Sequence, residues 1–131
     1  MPDLEIVELF TTKAQESLAG AESEFANGRY NNCVNRCYYA CFQSAIAVLT
    51  RHDFRPSGLR WTHSNVQSQF AGELVNRRKL YPAALRDTLT RSLALRQRGD
   101  YEIQQVSQVS AARGLRSTRD FIDILRAREV S

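Results

Sequence analysis

Residues 13–49 read KAQESLAGAESEFANGRYNNCVNRCYYACFQSAIAVL, and this stretch decides the fold. Val7, Phe10, Ala14, Leu18, Ala21 and Phe25 recur at helical intervals and predict one apolar stripe on a helix over about residues 3–27. Asp3, Glu5 and Glu8 suit the positive end of its dipole, and Gly28 is placed to end it in the left-handed conformation. A second helix is predicted from about Tyr30 to Arg51. It carries two stripes, one through Cys33, Cys37, Cys41, Ala45 and Val48, the other through Val34, Tyr38, Phe42, Ala45 and Leu49. A helix apolar on two sides is packed on two sides, which makes this the central helix of the domain.

Outward from there the pattern stays helical. The segment HDFRPSGLRWT, residues 52–62, contains Pro56, Ser57 and Gly58 and reads as a loop. A third helix, capped by Thr62, turns Val66, Phe70 and Leu74 inward. Residues 76–81 form a short basic connector. Pro82 opens a fourth helix that buries Leu85, Leu89 and Leu93 and that Gly99 breaks or bends. A last helix, about 108–128 and capped by Ser107, turns Ala111, Leu115, Thr118, Ile122 and Leu125 inward. Gly114 within it costs about 1 kcal/mol against Ala, which implies a close packing contact. No segment alternates long enough to be a strand. The expectation is an all-α, antiparallel up-and-down bundle of four to five helices, with residues 1–131 as a single domain.

Composition agrees. At 131 residues, 43% hydrophobic and 24% charged, the chain suits a single soluble core rather than a disordered or fibrous protein. The longest mostly apolar stretch, Cys37 to Leu49, is too short to cross a bilayer, so no membrane partner is expected. Met1-Pro2-Asp3-Leu4-Glu5 is acidic and no apolar targeting segment follows, so a cytoplasmic location is expected. Charge is uneven: residues 1–50 carry −3 and residues 51–131 carry +7, and sixteen of the eighteen basic residues are Arg. Arg suits bidentate phosphate contacts and stacking, so an anionic partner is one reading of this asymmetry. Well-solvated helices are the other.

Several groups could carry chemistry. Cys33, Cys37 and Cys41 lie about 12 Å apart from first to last along one helix, too far for one metal. They read as buried thiols, and neither a metal nor a cofactor is expected. Arg96-Gln97-Arg98-Gly99-Asp100-Tyr101 ends the fourth helix. Arg96 and Asp100 are an i, i+4 pair that either salt-bridges the helix end or orients an Arg for phosphate. Arg36 and Tyr39 share a face of the central helix, and a buried Arg36 needs a partner, for which Asp100 is the candidate. His63 follows a loop in which Arg51, His52, Arg55 and Arg60 alternate with Phe54 and Trp61. Arg77, Arg78 and Lys79 form a second basic group. Basic residues among aromatics can grip single-stranded nucleic acid, or the aromatics can simply pack inward.

Taken together, residues 13–49, Thr62-His63-Ser64 and Leu95-Arg96-Gln97-Arg98-Gly99-Asp100-Tyr101-Glu102 resemble the small HEPN-domain proteins of bacteria and archaea, over nearly the whole chain. The resemblance implies a homodimer, and a toxin-type protein paired with a small nucleotidyltransferase antitoxin. It also implies, for active members, a metal-independent RNase whose signature is an Arg followed after four to six residues by a His. No Arg here is followed so by His, and Tyr101 stands after Arg96 instead. Tyrosine, with a pKa near 10, is a poor base at neutral pH. The expected function is therefore binding of RNA or a nucleotide in a polar cleft, as one member of a toxin–antitoxin or defence pair. Arg36, Tyr39 and Asp100 would bind the ligand. His63, Arg96 and Tyr101 would be the reactive groups of the alternative, an RNase using His63. A non-catalytic interaction module is the third reading. The resemblance also makes Tyr101 a candidate for modification by the partner nucleotidyltransferase.

Overall fold

The computed structural model of the chain describes residues 2–56 and 58–130; Ser57, within the expected loop, lies outside the described residues. Helix α1 spans Leu4–Ala26 and α2 spans Tyr30–Arg51. α3 spans His63–Gln69 and runs on into a π-helical segment, Phe70–Arg77. A 3-10 turn at Ala83–Leu85 precedes α4, Thr88–Tyr101, and α5 spans Gln108–Val130. No helix among the described residues is long and apolar enough to cross a membrane.

The helix starts follow from capping. Asp3 accepts from the Ile6 amide at 3.2 Å, Thr62 from the Asn65 amide at 3.2 Å, and Ser107 from the Ser110 amide at 3.1 Å. Gly28 ends α1 at φ +75°, a conformation that a side chain would resist.

Side-chain pairs establish the directions. Ser17 bonds Gln43 and Asn32 bonds Glu24, so α1 and α2 are antiparallel. Asn35 meets Asp100 while Cys41 meets Ser92, so α4 is antiparallel to α2. Cys41 meets Thr118 and His52 meets Glu129, so α5 runs parallel to α2. The result is an all-α up-and-down frame of α1, α2, α4 and α5 with α2 at its centre. At the start of α3, His63 stands beside Tyr38, in the middle of α2.

α2 is buried along both predicted stripes except at the partly buried Phe42, with Cys33, Cys41, Ala45 and Leu49 at 0% exposure. All three cysteines are free and buried. Burial pushes the Cys41 thiol up to about 12, so it is a packed thiol rather than a thiolate.

Three local expectations are corrected. The helix over 63–77 changes winding at Phe70. π winding stacks residues five apart, which lets Phe70, Leu74 and Val75 all face the core. The fourth helix does not begin at Pro82: a 3-10 turn buries Leu85, and α4 proper starts at Thr88. Gly99 does not break α4, which continues to Tyr101. Gly99 is instead where α4 touches α2. A Cβ there would lie 3.0 Å from Val34 Cγ2 and 3.2 Å from the Asn31 carbonyl oxygen. Gly114 meets its expectation, since a Cβ there would lie 2.9 Å from Leu95 Cδ2.

Candidate functional site

The face of α2 turned toward α4 carries Asn31, Asn35, Tyr38 and Tyr39, positions that recur at helical spacing. The close approach at Gly99 brings the last turns of α4 onto this face. Asp100 then accepts from the Asn35 amide at 3.2 and 3.4 Å, across 65 residues of chain. Arg96, one turn back, lies 3.2 Å from the same carboxylate. Its Nε is buried and makes no aligned hydrogen bond, so the contact is an ion pair.

The expected direct pairing of Arg36 with Asp100 does not occur. Arg36 donates to the side-chain oxygen of Asn35, at 3.1 Å from Nε and 2.8 Å from a terminal nitrogen. Asn35 therefore joins Arg36 to Asp100, its oxygen serving one and its nitrogen the other. An ionised Asp cannot donate and Arg cannot accept, and the Asn35 amide, which carries both an acceptor oxygen and a donor nitrogen, satisfies both.

Tyr39 sits where the two arginines meet. The Arg36 guanidinium lies 4.9 Å from its ring centroid and the Arg96 guanidinium 5.2 Å. Arg96 also lies 5.5 Å from the Tyr38 ring, and the two Tyr rings pack edge to face at 5.2 Å. Cation–π contacts of this kind hold each guanidinium at about 0.5–1 kcal/mol where exposed and more where desolvated. Two guanidiniums face one carboxylate, so the cluster is net positive. Beside Arg36, between α1 and α2, a groove of about 270 Å³ opens onto Gly20, Glu24 and Asn32.

Tyr38 is 4% exposed, and its stripe placed it in the core. Its hydroxyl nevertheless reaches His63 Nδ1 at 3.2 Å. Burial raises the Tyr38 phenol to about 12 and lowers the His63 imidazole below its ordinary 6.5. His63 is thus neutral at pH 7, a state that can take up a proton. Tyr38 touches both Arg96 and His63, which brings the imidazole to the edge of the arginine cluster.

Of the residues singled out from sequence, the structure gathers Arg36, Tyr39, Arg96 and Asp100, with His63 attached through Tyr38. Tyr101 stands apart at the end of α4, 76% exposed. Asn35 and the Tyr38 hydroxyl were missed as members. The available signal was the placement of Asn35 and Tyr38 on the same helical face as Asn31.

The loop and connector resolve differently. Phe54 and Trp61 pack against the core, and Arg78 lies over the Phe54 ring at 4.9 Å. Arg51 and His52 are both held by Glu129, at 3.2 and 3.1 Å, and the Tyr81 hydroxyl donates to the same carboxylate. Arg77 pairs with Glu73. Among the described residues, no cluster of three or more His, Cys, Asp or Glu side chains is arranged to hold a metal.

Comparison with known proteins agrees with this arrangement of helices. The HEPN domain family model matches residues 7–128. The "Putative toxin MJ0605" of Methanocaldococcus jannaschii is 29% identical over 113 residues, covering 86% of this chain and 81% of the relative. A "UPF0332 protein" of Thermotoga maritima is 30% identical over 122 residues, covering 92% of this chain and 88% of the relative.

Proposed function

The chain belongs to the HEPN domain family, and from that premise we propose that it is a toxin-type member that binds RNA or a nucleotide at the Arg36–Tyr39–Arg96 cluster. One observation carries the reading. Two guanidiniums contact a single tyrosine ring, at 4.9 and 5.2 Å, and one carboxylate pairs with Arg96 directly and is linked to Arg36 through Asn35. Such a cluster offers forked donors for a phosphate and an aromatic face near them for a base. Asp100 positions Arg96 directly and Arg36 through Asn35. The relative named as a toxin supports the biological role. In this role the chain works as a homodimer, and a small nucleotidyltransferase is its antitoxin. Tyr101, exposed at the end of α4, is the side chain such a partner would modify.

The test is binding of AMP and of a fluorescein-labelled RNA to the wild type and to Arg36→Ala/Arg96→Ala. The double variant should lose at least about tenfold in affinity, the scale of one or two charge-assisted contacts. Unchanged affinity in a variant with the native helical signal and mass would overturn the reading.

A second reading has its own observation. His63 and Arg96 are 33 positions apart in sequence, yet both contact Tyr38. Together they could supply base and phosphate-stabilising cation for metal-independent RNA cleavage, in place of a sequence-local Arg and His. RNA degraded in excess chelator by the wild type, and left intact by His63→Ala, supports it. Intact RNA with both proteins leaves binding alone.

A further inference from the structure

A second electropositive feature lies on the other side of α4. Arg91 and Arg96 are five positions apart, about 140° around the helix. Arg96 therefore serves the cluster on α2, while Arg91 points toward α5. Two neighbouring grooves along α4 and α5, of about 370 and 340 Å³, share Arg91, Arg113 and Ser117 among their walls and together make the α4–α5 channel. Arg116 extends it at one end and Ser92 and Ser110 at the other. Gly114 contributes no side chain to its floor.

The arginines are the unusual element. Several other arginines are committed to carboxylates: Arg29 to Glu24, Arg51 to Glu129, Arg77 to Glu73, Arg98 to Glu102 and Arg119 to Glu22. Arg91, Arg113 and Arg116 are exposed, and among the described residues none of their guanidiniums has an ion-pair or hydrogen-bond partner. Asp120 is the one carboxylate on the channel wall. Three arginines against one carboxylate leave the groove net positive, and an anion lying in it relieves the repulsion among the arginines.

We propose that the α4–α5 channel is a phosphate-backbone track for RNA, separate from the Arg36–Tyr39–Arg96 cluster. Arginines with serine hydroxyls are the donors that nucleic-acid backbones take. An acidic protein is less well served, because protein interfaces are anchored by large apolar or aromatic side chains. The exposed ones here, including Leu4, Leu9, Leu59 and Ile103, all lie off the channel. The inference goes beyond the cluster reading and needs no contact at Tyr39.

Fluorescence anisotropy with a labelled 2′-O-methyl oligouridylate, titrated at several salt concentrations, tests it. Arg91→Gln/Arg113→Gln/Arg116→Gln should weaken binding on the order of tenfold and flatten the salt slope by about 2, given about 0.7 per single-strand phosphate contact. The corresponding triple Lys variant should retain the slope, and Asp120→Asn should tighten binding. An unchanged affinity and slope in the triple Gln variant overturns the proposal, as does RNA binding lost only in Arg36→Ala/Arg96→Ala. Binding of an oligoglutamate peptide to the channel with no binding of RNA also overturns it, in favour of an acidic protein partner.

Discussion

Gly99 of α4 rests on the backbone of Asn31 in α2: a Cβ at Gly99 would stand 3.2 Å from the Asn31 carbonyl oxygen and 3.3 Å from its Cα. Backbone within a packed helix cannot give way as a side-chain tip can. This contact sets the distance between the helices that carry Asn35 and Asp100.

Gly99→Ala is therefore expected to destabilise the protein. Overpacking costs about 1–3 kcal/mol, against which better helix propensity returns about 1. A net loss of about 1 kcal/mol would lower Tm by about 3–5 °C in a chain of this size. Thermal denaturation followed by circular dichroism checks it, and AMP binding should weaken in parallel as α4 lifts from Asn35.

Gly114→Ala is expected to behave oppositely. The atom it would meet is Leu95 Cδ2, the far end of a flexible side chain. With that methyl free to rotate away, the helix-propensity gain remains, and stability should stay level or rise by up to about 1 kcal/mol. A Tm drop comparable to that of Gly99→Ala would contradict it.

Asn35→Ala should uncouple Arg36 from Asp100. A double-mutant cycle between Arg36→Ala and Asp100→Ala is expected to give a coupling of about 0.5–1 kcal/mol with Asn35 present and close to none without it. Equal coupling in both backgrounds would mean that the amide is not the link.

His63 makes stability depend on mild acid. Burial places its folded pKa below the ordinary 6.5, so the unfolded chain binds the proton more readily. Stability is complete above 6.5 and declines as pH falls from there toward the folded value. His63→Gln should shrink the fall in Tm between about pH 7 and about pH 5.5. An identical acid profile in the variant would show that His63 does not contribute.

Glu129 holds Arg51, His52 and Tyr81 at once and is 15% exposed. Glu129→Ala leaves the buried Tyr81 hydroxyl without its acceptor and releases Arg51 and His52 to water, and should cost about 1–2 kcal/mol, less than a fully buried pair. Urea denaturation would show it as a lower midpoint at unchanged slope.

The division between what was legible in the chain and what was not follows the range of the interactions. The helices of residues 4–26, 30–51 and 108–130, the caps at Thr62 and Ser107, the left-handed Gly28 and the burial of the three cysteines were legible from sequence alone. Apolar periodicity and capping act within a few residues, and the sequence displays them directly. The sequence also named Arg36, Tyr39, His63, Arg96, Asp100 and Tyr101 as candidate cleft residues, of which Tyr101 stands apart in the structure. The tertiary structure alone decided their wiring: Asn35 between Arg36 and Asp100, and Tyr38 between Arg96 and His63. It alone decided that Gly99 is a crossing point rather than a break, that residues 70–77 wind as a π-helix, and that Glu129 takes up Arg51 and His52. Those outcomes depend on side chains 25 to 77 positions apart meeting at a few ångströms. Such meetings are set by how closely packed helices approach and rotate, and no local pattern of residues records that.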